Sequence, residues 1–138
     1  MRDETAEPPP GWDSVSFEIE VPRQVRAGRT ILIAMRLHNR SDKTITLQLL
    51  GRTMTWDVVV KDSAGREVFR LLRDRADATI LRLDRLAGGE VRDMAYRWDQ
   101  RADDGRPVRP GDYSLEALLL TEGDPIRSSP ASIRVLPR

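Results

Sequence analysis

Val15, Phe17, Ile19 and Val21 alternate with Ser16, Glu18 and Glu20. A helix would scatter those four apolar residues around its circumference; only an extended strand gathers them onto one face. The period of two returns at Ile31, Ile33, Met35 and Leu37, at Ile45, Leu47 and Leu49, and at Tyr113, Leu115, Ala117 and Leu119. Each repeat is closed by residues that turn a chain: Ala27-Gly28, Asn39-Arg40-Ser41-Asp42, Gly51, Gly88-Gly89 and Pro110-Gly111. A chain so patterned must bury its faces by stacking sheets.

Strand by strand, the pattern predicts seven to nine short strands about 8 to 15 residues apart, the spacing of an all-β, immunoglobulin-like or fibronectin-like antiparallel sandwich. Trp56, Val58 and Val60 share one face of a strand, and Asp62-Ser63-Ala64-Gly65 has the Asp and Gly of a type I turn with a glycine bulge, which joins it to a strand over 66–72 as a hairpin. Ile80, Leu83 and Leu86 are spaced ambiguously, and a loop followed by a short strand near 79–83 is the favoured reading. Met94, Tyr96 and Trp98 fall on one face of a strand whose Arg92, Asp93 and Arg97 suit an edge. Gly111-x-Tyr113 predicts a tyrosine corner, the phenol lying over the turn with its hydroxyl on an upstream backbone group. The last strand carries Ala131, Ile133 and Val135, and Pro130 predicts that it lies at a sheet edge.

Residues 1–13, with Pro8, Pro9 and Pro10, show no periodicity and read as a flexible proline-rich tail, which leaves 14–138 as a single sandwich domain. At 138 residues the chain can bury about two thirds of its extended surface without a covalent staple. It has no cysteine, which excludes disulfides, thiol catalysis and thiolate metal sites and suits a reducing compartment. No stretch has the apolar length of a signal peptide or a membrane span, so a soluble, cytoplasmic protein is expected. Its 23 basic and 22 acidic residues are interspersed and leave a net charge of +1, which offers no electrostatic case for nucleic acid or an anionic membrane.

Chemistry is sparse. His38 is the one histidine, on the outward parity of its strand, and no Gly-x-Ser-x-Gly elbow exists for it to serve. Asp99, Asp103, Asp104 and Asp112 lack calcium-loop spacing and read as turn acids. The glycosylation triplet at Asn39 to Ser41 is better explained as a polar turn. No cofactor, metal or catalytic residue is predicted. Two long polar loops, 71–86 and 100–109, are where a binding function would reside.

The ordered runs LHNRSDKTITLQL, TWDVVVKDSAGREVF, LAGGE, Tyr96 with Trp98, and GRPVRPGDYSLEA together resemble the intracellular proteinase inhibitor family of bacilli, the BsuPI domain, over about residues 31–120. The most specific pieces are Asp57 after an aromatic, Gly65 before Val68 and Phe69, Gly89-Glu90, Trp98 and Pro110-Gly111-x-Tyr113. The resemblance implies a bacterial, non-enzymatic sandwich protein whose partner is a subtilisin-like serine proteinase. Where the family pattern has tryptophan, serine and phenylalanine after the fifth strand, this chain has the charged segment 70–78. Subtilisin-like clefts favour apolar side chains, so Ile80 and Leu81 are the candidate binding residues in the 71–86 loop, ahead of the arginine-bearing 100–109. The alternative is a non-inhibitory interaction module of a larger assembly.

Overall fold

A computed structural model describes residues 14–51, 55–73 and 80–138. The proline-rich tail and positions 74–79 lie outside the described residues. Among the described residues eleven strands are present: β1 (Val15–Glu20), β2 (Gln24–Arg26), β3 (Ile31–Asn39), β4 (Ile45–Leu50), β5 (Trp56–Asp62), β6 (Glu67–Arg70), β7 (Leu81–Leu86), β8 (Val91–Trp98), β9 (Gly111–Leu119), β10 (Ile126–Arg127) and β11 (Ala131–Leu136). They form an all-β sandwich. One sheet runs β1-β3-β8, a second runs β2-β11-β9-β5-β6 with β10 beside β9, and β4 pairs with β7. Every pairing is antiparallel except β11 with β2.

The alternation fixes which side is buried. Ile31, Ile33, Met35 and Leu37 of β3 meet Leu115, Ala117, Leu119, Val58 and Val60 of the facing sheet in one core. Trp98 is wholly buried at the end of β8 and lies 5.7 Å, centroid to centroid, from Phe69 of β6. Tyr96 stacks on the same phenyl ring at 6.1 Å.

β3 with β4 and β7 with β8 are two long segments paired along their length, interrupted once at a shared bend. Asn39 fills that bend. Fully buried, its Nδ2 donates to the carbonyls of Lys43 (2.7 Å), Leu86 and Ala87 (both 3.0 Å), while its Oδ1 accepts from the Ser41 amide and hydroxyl. A polar turn thus accounts for the Asn39 to Ser41 triplet. Gly88 passes so close that an added Cβ would stand 2.5 Å from the Asp42 carbonyl carbon. Beyond the bend β4 leaves the first sheet, and its other edge bonds the end of β9: Leu50 N–H donates to Leu120 O and Glu122 N–H to Gln48 O, both at 3.0 Å.

The hairpin and the corner form as the sequence predicts. Asp62 Oδ1 accepts from the amides of Ala64 and Arg66 (2.9 Å each), Gly65 has φ 82°, and the ladder shifts register between Val60 and Lys61. The Tyr113 hydroxyl donates to Arg109 O. Three expectations need correction. β11 is not an edge strand: β9 lies on one side, and β2, a strand that was not expected, pairs on the other. Pro130 escapes the ladder because it precedes the strand. The strand read over 66–72 ends at Arg70, where Leu72 N–H turns to Asp57 Oδ1 (3.0 Å). The short strand expected near 79–83 is present but runs Leu81–Leu86, so the second half of the 71–86 segment is not loop: Leu81, Leu83 and Arg85 face outward opposite Leu50, Gln48 and Thr46, and Leu86 faces the core.

Candidate functional site: two sheet edges and two loops

The chain from 100 to 109 is fastened to the sandwich at its start, middle and exit. At its start Gln100 adopts φ 63° and is buried, its Nε2 donating to the carbonyls of Arg26 and Arg29 at 2.8 Å. The Trp98 indole N–H donates to Arg101 O at 2.9 Å. Asp103 then covers the edge of β6, its amide donating to Val68 O and its carboxylate accepting from Arg70 N–H, both at 3.0 Å. At the exit Val108 is buried, and Tyr113 ties down Arg109 O. Asp57, also buried, accepts from Val58 N–H, Leu72 N–H and the Arg70 guanidinium, which fixes the place where the chain leaves β6.

The segment from Ile80 onward differs. Gly51 N–H donates to Ile80 O at 2.8 Å, which sets the phase of the β4-β7 ladder. Ile80, Arg82, Asp84 and Leu86 therefore turn their backbone groups toward β4, and Leu81, Leu83 and Arg85 turn theirs away. At Arg85 the outward groups are taken: its N–H donates to Asp84 Oδ1 and its carbonyl accepts from Arg92 Nη2. Arg92 also bonds Asp84 Oδ2 (2.6 Å) and Glu90 Oε2 (2.8 Å). Its guanidinium, with help from Ala87 N–H, holds the Glu90 carboxyl below the usual carboxylate range. At Leu81 and Leu83 no described residue bonds the outward N–H and C=O. Their side chains are 48% and 64% exposed, and Ile80 beside them is 37% exposed.

Ile80 and Leu81, the two sequence candidates, thus lie side by side on the surface. Leu83 joins them and was missed. Its signal was the Leu81-x-Leu83 alternation, which the helical-looking spacing of Ile80, Leu83 and Leu86 obscured.

Elsewhere among the described residues, several polar groups pair with one another or cap turns, whereas the buried Gln100 Oε1 has no partner. A groove of about 910 Å³ lies between the Asp62 turn and β11, yet Asp112 and Arg134 in its wall are paired at 2.8 Å. Asp99 and Asp104 accept from the amides of Arg101 and Arg106, as turn acids do. His38 stands between Ser16 and Val91 on the outer face of its sheet. Among the described residues no group of histidine and acidic side chains could hold a metal ion.

The family profile described as BsuPI, intracellular proteinase inhibitor, matches residues 17–123. The chain belongs to that family. The profile's description is that of a family of intracellular proteinase inhibitors. No curated protein matches the sequence. Among solved structures the chain is similar to part of the Pseudomonas fluorescens alkylpurine DNA glycosylase AlkC bound to abasic DNA, with 18% identity and TM-score 0.54, over 89% of this chain and 30% of that one. It is also similar to part of latent PorU from Porphyromonas gingivalis (19%, TM-score 0.53, covering 90% and 10%) and of a Listeria innocua β-glucosidase in complex with gluconolactone (14%, TM-score 0.52, covering 88% and 16%). The chain spans less than a third of each, and at these identities the likeness shows the fold alone.

Proposed function

We propose that the protein inhibits a serine proteinase of the subtilisin type in the cytoplasm, docking through the segment 71–86 and offering Ile80 and Leu81 to the cleft. Membership of the inhibitor family over residues 17–123 carries this reading. Two observations favour that segment over 100–109. The latter is fastened to the sandwich at its start, at Asp103 on β6 and at its exit, whereas Ile80 and Leu81 stand exposed at the border of the β4-β7 ladder. A scaffold of this kind loses little conformational freedom on docking.

Titrating the chain into a subtilisin-type proteinase assay, followed by mass analysis, tests the reading. Stoichiometric, reversible loss of proteinase activity with the inhibitor chain intact is the expected result. Rapid cleavage between Leu71 and Leu86, or binding with proteinase activity unchanged, overturns it; the latter result is that of a non-inhibitory interaction module.

A further inference from the structure

The geometry points to strand addition as the docking mode: the outward edge of β7 at Leu81 and Leu83 receives the extended strand that borders the proteinase's substrate cleft. This rests on the proteinase reading above and specifies its contact. Antiparallel pairing needs alternate residues with both N–H and C=O turned outward, and Leu81 and Leu83 supply two such residues, four groups in all. The opening is bounded. Toward the bend, Asp84 and Arg92 occupy the next outward pair at Arg85, so the added strand cannot continue past Leu83 in that direction. The Leu81 and Leu83 side chains share the outer face, next to Leu50 of β4. Arg85 follows on the same face with its guanidinium exposed. The fitting strand therefore has apolar side chains opposite the two leucines and a carboxylate near Arg85.

The mode also explains how such an inhibitor would escape digestion. The backbone of β7 is bonded to β4 on its inner side at Ile80, Arg82 and Asp84. A peptide bond gripped in a ladder cannot be drawn freely into a tetrahedral geometry, whereas a loop held only at its ends can.

Two measurements test the proposal, with a subtilisin-type proteinase sulfonylated at its nucleophilic serine as the probe wherever cleavage must be prevented. In amide exchange on the free chain, Leu81 and Leu83 exchange quickly, and Arg82 and Asp84 slowly. Adding the blocked proteinase is expected to slow Leu81 and Leu83 selectively. The second measurement compares Leu83→Pro with Ala95→Pro. Both positions turn their amide outward, since Ala95 lies opposite Ala34, whose backbone faces β1, so proline removes no internal ladder bond at either. Leu83→Pro is expected to weaken inhibition by about tenfold or more while the chain remains folded, and Ala95→Pro to leave it unchanged.

Inhibition by Leu83→Pro at wild-type strength, equal loss in Ala95→Pro, or complex formation without slowed exchange at Leu81 and Leu83 overturns strand addition while leaving the inhibitor reading standing. Slowed exchange at those amides with rising concentration of the chain alone overturns it in favour of a second copy. If the unaltered chain neither binds nor inhibits, the proteinase reading fails and strand addition to a proteinase fails with it.

Discussion

β6 and β7 both end a ladder, and the chain treats their outer edges in opposite ways. Along β6, Asp103 bonds Val68 O and Arg70 N–H, and the loop that carries Asp103 is anchored by Trp98, Gln100 and Tyr113. Along β7 the only closures among the described residues are at Arg85, and at two exposed leucines no described residue bonds the outward backbone groups. Sandwich proteins suppress bare edges because an unpaired row of N–H and C=O groups templates association. One edge is closed by a ten-residue loop and another keeps exposed leucines, and the proposed docking mode rests on that difference: the β6 side stabilises, and the β7 side is the one proposed to receive a partner. Substitutions at the covered edge should therefore cost stability, and substitutions at the bare one should not.

The largest effect is expected from Trp98→Ala. The indole is fully buried against Phe69, and its N–H holds Arg101 O, so removing it empties the core beneath β6 and loosens the cover above it. A loss of about 3 to 5 kcal/mol in denaturant melts is expected. A wild-type melt would mean that cover and core are independent of this ring.

Tyr113→Phe removes the hydroxyl that ties down Arg109 O at the exit of the loop and should destabilise by about 1 kcal/mol. Asp103→Ala acts in the middle of the cover. Arg70 N–H loses its acceptor, while the backbone bond from residue 103 to Val68 O can persist, so a loss of about 1 kcal/mol or less is expected. Faster amide exchange at Arg70 should accompany it. Unchanged exchange there would show that the loop covers the edge without the carboxylate.

The contrast between the edges was only half legible in the sequence. Alternation gave the strands, and turn chemistry gave the Asp62 hairpin and the Tyr113 corner, because those signals are local. The family motifs were legible too, and the structure shows them to be fasteners. Asn39 and Gly88 make the bend, Asp57 fixes the exit from β6, and Trp98 anchors the cover. Which strand lies at an edge depends on topology, which no window of sequence contains. Pro130 therefore misled about β11, the three residues of β2 drew no strand expectation, and Leu83 was not seen to stand beside Ile80 and Leu81. The residues that identify the family build its scaffold, and the exposed leucines of β7 lie outside those motifs.

The smallest effect on stability, and the sharpest test of the comparison, is expected at Leu83→Thr. Leu83 is 64% exposed and faces Gln48 across the ladder, so it buries little apolar area. Threonine keeps the backbone groups and suits a strand as well as leucine does. Any change in denaturant melts should stay within about 0.5 kcal/mol, the range of ordinary surface substitutions. Inhibition should nevertheless weaken, because the apolar contact with the added strand is lost while its backbone bonds remain, and the loss should be smaller than in Leu83→Pro. A drop of several kcal/mol would show instead that Leu83 is a structural residue, and the division of labour between the two edges would collapse.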